Sequence, residues 1–184
     1  MTEATIEITQ YCPYGDCDYC SSNASLDGTH LPLEKILKAL GDFRVRFGKL
    51  DVLNISGGEP LFHPSIGEIL WKARMYARRV KLYTNMIDVI LYNTDKVKDI
   101  EIEANVCIVG GRTKYIPKPT ISVKTHLLKL VHQGRAKDLP KQDVVVSRNF
   151  WDLSHCDNCD HILLQADGKV VVAPCKKEYS NEDV

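Results

Sequence analysis

ITQYCPYGDCDYC, residues 8–20, packs three cysteines, Cys12, Cys17 and Cys20, into one short loop behind a strand-like run. Further on, a second strand-like run ends in NISGGEPL, residues 54–61. Thiolates this close in sequence suit one polynuclear iron–sulfur site. Three of them on a four-iron cluster leave one iron without a protein ligand, open to something else. A structural zinc site is expected to close its shell with a fourth ligand, yet no cysteine follows Cys20 until Cys107. Each motif sits directly after a predicted strand. In parallel β/α folds, that is where functional loops gather.

Together the two motifs resemble the radical S-adenosylmethionine (radical SAM) superfamily, whose usual signature is C-x3-C-x2-C with an aromatic residue before the third cysteine. Tyr19 fills the aromatic position, and Gly57, Gly58, Glu59 and Pro60 match the family's second motif. The spacing here is C-x4-C-x2-C, one residue longer, which widens the loop over Pro13 to Asp16. The resemblance implies a [4Fe–4S] cluster on Cys12, Cys17 and Cys20 whose open iron chelates the methionine part of S-adenosylmethionine. It also implies that Gly57–Pro60 meets the cofactor's amino group. Independently of the family, glycines let backbone approach a ligand closely, and a carboxylate suits a cationic amine.

Composition agrees with a small intracellular enzyme. The chain has 184 residues, about one domain. Its 24 basic and 24 acidic residues cancel, so no global attraction to nucleic acid or membrane is expected. The opening MTEATIEITQ lacks the basic and apolar regions of a secretory signal. No apolar run approaches the length of a membrane span. Seven cysteines in a chain of this kind point to metal rather than disulfides. The expected compartment is the cytoplasm.

Strand and helix patterns alternate, which argues for parallel β/α units. Thr5 to Thr9, Val52 to Ser56, Val80 to Tyr83, Val89 to Tyr92, Ile100 to Val109 and Val144 to Ser147 read as strands. Pro32 opens a helix with Leu33, Ile36, Leu37, Leu40, Phe43 and Phe47 on one face. Pro64 to Arg78 reads as a second helix with Ile66, Ile69, Leu70 and Ala73 inward, and Ser122 to His132 as a third. Ile162 to Leu164 and Val170 to Val172 flank Asp167-Gly168, a hairpin signal. Lys137 to Gln142 reads as a hinge-like loop. The resulting expectation is an α/β fold, a trimmed partial (β/α)6 barrel of radical SAM type over residues 1–150. Residues 151–184 would form a small C-terminal β-hairpin extension that binds a second cluster.

That extension reads HCDNCDHILLQADGKVVVAPC, residues 155–175, with Cys156, Cys159 and Cys175 arranged so that the hairpin returns the last cysteine to the first two. Taken alone, the pattern fits a zinc ribbon completed by His155 or His161. Beside the resemblance, it matches twitch or SPASM extensions that carry an auxiliary iron–sulfur cluster. The tail is most similar to that of the GTP 3′,8-cyclases of molybdenum-cofactor synthesis. However, His161 and Leu163 stand where those enzymes have arginines, and Thr5 replaces another, so triphosphate recognition through guanidinium groups is not expected. Cys107 in EANVCIVGG reads as a buried filler. Its sharper alternative is a fourth ligand that closes the tail cluster.

Charge is uneven along the chain. No acidic residue occurs from Ala104 to Lys137, whereas Arg112, Lys114, Lys118, Lys124, Lys129, Arg135 and Lys137 are basic. Such a run reads first as a solvated face and second as an anion-attracting one. Thr84 and Asn85 resemble a third-strand ending near the family's site, and Asn149 is another polar candidate.

The function the resemblance implies is reductive cleavage of S-adenosylmethionine to a 5′-deoxyadenosyl radical, which abstracts hydrogen from a substrate not yet identified. That substrate is a peptide, a nucleotide or another small metabolite, with an anionic one suited to the basic run. A ferredoxin or flavodoxin would supply the electron. The alternatives are a two-cluster electron carrier without radical chemistry and a zinc-stabilised binding module.

Overall fold

The computed structural model describes residues 2–15, 17–18, 20, 22–84, 100–109, 112–113, 124–128, 135, 138, 161–173 and 177–178. Strand β1 (Glu3–Glu7) leads through a long loop to helix α1 (Leu33–Phe47), then to β2 (Leu50–Ser56), a short 3-10 turn (Pro60–Phe62), helix α2 (Ile66–Tyr76) and β3 (Ala77–Tyr83). There follow β4 (Glu101–Val109), β5 (Arg112–Thr113), β6 (Lys124–Leu128), β7 (His161–Leu164), β8 (Val170–Ala173) and β9 (Lys177–Glu178).

Both helices follow their apolar periodicity. In α1 the buried residues are Ile36, Ala39, Leu40 and Phe43, with Leu33, Leu37 and Phe47 packed partly against them. Glu34 in the first turn and Arg44 and Arg46 in the last complement the helix dipole. In α2 the buried residues are Ile66, Ile69, Leu70 and Ala73, the four expected from spacing. The second helix ends earlier than expected, because Ala77 and Arg78 already belong to β3. Helix and strand meet there with no connecting loop.

Six strands run parallel in the order β7-β1-β2-β3-β4-β6. Strands β8 and β9 extend the β7 edge antiparallel, and β5 turns back on the end of β4. This is an α/β fold on a parallel sheet, consistent with the expected partial barrel. The Asp167-Gly168 hairpin forms as expected, with Ile162 opposite Val172, and its first strand pairs directly with β1. The hairpin is therefore continuous with the main sheet.

One element differs in kind. Lys124–Leu128, inside the expected third helix, is a strand paired in parallel with Glu103–Cys107 of β4. An apolar run this short does not separate helix from strand by periodicity, and pairing with a neighbouring strand overrides local propensity. The expected strands at Val89 to Tyr92 and Val144 to Ser147 lie outside the described residues, as does most of the expected Lys137–Gln142 loop.

Strand residues alternate between two faces. Ala4, Ile6, Ile8, Leu53, Ile55, Val80 and Leu82 join α1 and α2 in one apolar core. On the opposite face, Thr5, Asn54 and Lys81 stand side by side across β1, β2 and β3, and all three are buried. Asn54 donates through Nδ2 to Glu3 Oε1 at 2.7 Å and to Thr5 Oγ1 at 3.2 Å. Its Oδ1 has no hydrogen-bond partner among the described residues.

Candidate metal and cofactor site

Beyond the end of β1, the chain continues as a ribbon, residues 8–12, held on both sides. On one side it pairs with the returning limb of its own loop. Gln10 N–H donates to Thr29 O, Ser25 N–H to Gln10 O, Cys12 N–H to Ser25 O and Leu31 N–H to Ile8 O, all between 2.8 and 3.0 Å. On the other side it meets the loop that follows β2. Gly58 N–H donates to Thr9 O at 2.8 Å, and Glu59 N–H to Tyr11 O at 2.9 Å. The two motifs read from the sequence are thus adjacent and joined backbone to backbone.

This docking gives the glycine pair its physical reason. Gly57 has φ +134°, and a Cβ there would collide with Thr9 O. A Cβ on Gly58 would meet Tyr11 O and the Ala24 side chain. The close approach that needs glycine is therefore made to the cysteine ribbon, and the N–H groups of Gly58 and Glu59 are engaged within the protein.

Cys12 lies buried at the tip of the ribbon, while Cys17 and Cys20 are half-buried on two successive turns. Cys17 N–H donates to Tyr14 O and Cys20 N–H to Cys17 O, each at 3.2 Å, and the Cys17 thiol donates to Tyr14 O at 3.0 Å. All three cysteines are free thiols. Burial pushes the Cys12 thiol above its usual pKa, a backbone hydrogen bond from Tyr14 pulls it down, and the charges of Glu59, Cys17 and Cys20 raise it further. Glu59 and the other two cysteines thus lie within electrostatic reach of Cys12.

Glu59 is buried. Its Oε1 accepts from Thr84 Oγ1 at 2.7 Å and from Leu61 N–H at 3.2 Å. Thr84 follows β3, so this carboxylate ties the loop after β2 to the end of the next strand. The sequence placed Thr84 near the site, and the structure supplies its contact. Asn85 and Asn149 lie outside the described residues.

An aromatic and imidazole cluster packs around Tyr11 of the ribbon. Tyr11 packs against His30 and Phe62 with ring centroids 5.7 Å apart in each case, and His30 meets His63 edge-on at 5.2 Å. Ser65 N–H donates to His63 Nδ1 at 3.0 Å, so Nε2 carries the proton and donates to Leu31 O at 2.9 Å. His30 Nδ1 lies 2.8 Å from Thr9 Oγ1. Burial, and then the charge of His63, hold His30 below the ordinary histidine pKa.

In the sequence Arg135 is one member of the basic run. Its backbone N–H donates to Cys20 O at 3.0 Å, its Nε–H to Cys17 O at 2.8 Å and its Nη2–H to Ala24 O at 2.7 Å. The partners are main-chain carbonyls more than a hundred positions earlier in the chain, a pattern that leaves no trace in local sequence.

Among the described residues, no three His, Cys, Asp or Glu side chains converge to hold a single metal ion. Thiolates sharing a polynuclear cluster bind different irons, so they need not converge on one point. A donor set of three free thiols on one loop, with a buried carboxylate beside them, fits such a cluster. Cys156, Cys159 and Cys175 lie outside the described residues, as does His155. Cys107 pairs with Leu128 across β4 and β6.

Residues 6–109 match the family model described as the radical SAM superfamily. No curated protein matches the chain. Among solved structures it is similar to one described as the crystal structure of BtrN in complex with AdoMet and 2-DOIA, with 15% identity and a TM-score of 0.47. That similarity covers 61% of this chain and 48% of the other, so the chain spans about half the length of that protein.

Proposed function

The chain belongs to the radical SAM superfamily, and on that premise we propose that it is a radical SAM enzyme whose cluster ligands are Cys12, Cys17 and Cys20. When bound, the [4Fe–4S] cluster and S-adenosylmethionine supply one-electron cleavage of a sulfonium and a 5′-deoxyadenosyl radical that takes hydrogen from substrate. The observation that carries this reading is the direct docking of Gly58 and Glu59 onto Thr9 and Tyr11, which brings the acidic motif beside the cysteine loop.

The protein's own groups have separable tasks. Cys12 sits in a buried position fixed through Ser25, and Cys17 and Cys20 follow on tight turns. Loading requires thiolates, so iron uptake releases protons and weakens in acid. Glu59, oriented by Thr84 and Leu61, supplies the carboxylate for a cationic amine. Gly57 and Gly58 let the loop that carries it dock on the ribbon, and Pro60 opens the 3-10 turn that follows Glu59. The buried Thr5, Asn54 and Lys81 row makes the sheet face opposite the helices polar at that level.

Cys156, Cys159 and Cys175 are proposed, from their spacing and their twitch-like surroundings, to carry an auxiliary iron–sulfur cluster. A ferredoxin or flavodoxin donor and a cytoplasmic location complete the proposal. No helix among the described residues is long and apolar enough to cross a membrane.

The test is anaerobic reconstitution followed by addition of dithionite and S-adenosylmethionine. The expected product is 5′-deoxyadenosine, lost when Cys12, Cys17 or Cys20 is replaced by alanine. A protein that holds iron and sulfide but yields no 5′-deoxyadenosine is an electron carrier. A colourless, zinc-containing one is a binding module.

A further inference from the structure

We propose that Arg135 is a positioning residue for the iron–sulfur site, clamping the Cys17–Ala24 segment and lending it a fixed positive charge. The inference rests on the reading of Cys12, Cys17 and Cys20 as cluster ligands.

Local turns shape the stretch after Cys12, from Tyr14 to Cys17 and from Cys17 to Cys20. Turns alone do not set where that stretch lies relative to the rest of the molecule. Arg135 adds three hydrogen bonds from a remote part of the chain, one from its backbone to Cys20 O and two from its guanidinium to Cys17 O and Ala24 O. The carbonyls of two cysteines are thus held from outside the loop. Cys17 O takes both Cys20 N–H and Arg135 Nε–H, filling its two acceptor positions.

Arginine suits this task for a geometric reason. Its planar fork presents several N–H groups in a fixed arrangement, so one side chain spans the Cys17 and Ala24 carbonyls at once. Lysine would bring the same charge as a single point donor. The charge has its own consequence. Three thiolates and a cluster form an anionic assembly, and reduction adds one more negative charge. A guanidinium held on the same loop favours the reduced form and raises the reduction potential, since net charge and hydrogen bonding set that potential.

The experiment uses the full chain, reconstituted anaerobically, as wild type, R135Q and R135K. It measures iron and sulfide per chain, the rate of iron loss to a chelator and the cluster's midpoint potential by redox titration followed by EPR. Amide hydrogen exchange of the apo-protein at Cys20 and Ser25 is measured alongside. R135Q is expected to lose iron about tenfold faster and to shift to a lower potential; a tenfold change in the reduced-to-oxidised balance is about 59 mV for one electron. R135K is expected to keep most of the potential while losing iron nearly as fast as R135Q, which separates charge from fork.

If R135Q takes up no iron, the apo-protein decides. Faster exchange confined to Cys20 and Ser25 supports the clamp, and a general loss of protection overturns it. An R135Q protein that matches wild type in iron retention and potential overturns the inference and leaves the cluster reading intact. A wild type that takes up no iron overturns the cluster reading, and this inference falls with it.

Discussion

Where α1 and α2 cover β1–β3, contact is made by Ile36, Leu40, Leu53, Ile55, Ile69 and Leu82, apolar groups wholly removed from water. At the ends of β1 and β2, contact is made by carbonyls and amides: Thr9 with Gly58, Tyr11 with Glu59, Cys17, Cys20 and Ala24 with Arg135. The first region is non-directional and draws its strength from area. The second depends on direction, because each hydrogen bond has a narrow geometric tolerance. The molecule thus places its stability in the layer beneath the sheet and its positioning in the rim above. Damage to one should be separable from damage to the other.

The sharpest way to break that division is Leu53→Ala, deep in the helix-backed layer. It should cost about 2–5 kcal/mol of stability through lost burial and a residual cavity. Denaturant unfolding would measure this, while iron per folded chain should stay unchanged. A variant that loses both in parallel would show the two regions to be one cooperative unit.

Gly58→Ala makes the reverse test. Its new Cβ meets the Tyr11 backbone, at an overpacking cost of about 1–3 kcal/mol. Unlike Leu53→Ala, it should sharply reduce iron uptake, read by iron and sulfide counts after reconstitution.

Thr84→Val removes the hydroxyl that donates to Glu59. Leaving that buried carboxylate oxygen with one donor fewer should cost about 1–3 kcal/mol, toward the low end because Leu61 N–H still serves it. S-adenosylmethionine affinity should fall further than stability does, which equilibrium binding to the reconstituted protein would show.

The smallest effect belongs to His30, whose pKa in the folded protein lies below the ordinary 6.5. The unfolded chain therefore takes up this proton at higher pH than the folded one. The stability associated with the neutral ring is fully present above the unfolded value and declines as pH falls through the folded value. Unfolding of the apo-protein at pH 7.5 and pH 5 should show a larger acid loss for wild type than for His30→Asn.

The helix-backed layer was the more legible half in sequence. Ile66, Ile69, Leu70 and Ala73 face inward as their spacing predicts, and α1 begins directly after Pro32. Strand ends were less so. Both β2 and β3 start earlier than expected, at Leu50 and Ala77, because a strand's extent is set by the neighbour it pairs with. Lys124–Leu128 has a helical pattern in sequence, and the β4 partner that makes it a strand lies outside that local window. At the rim, Cys12, Cys17, Cys20 and Glu59 stand out as candidates because their chemistry is rare and their order specific. The docking role of Gly57 and Gly58 and the reach of Arg135 do not, because both act on backbone carbonyls, which every residue type shares.

The seam where Tyr76 gives way to Ala77 carries a consequence for how this protein can change. Helix α2 passes straight into β3 there, with no slack to absorb an added residue. One insertion would slip the strand by a single step and turn Lys81 toward the oily underside, exchanging it with a leucine or valine. For β3, added length is therefore tolerated only past its far end, where it leaves the pleat undisturbed.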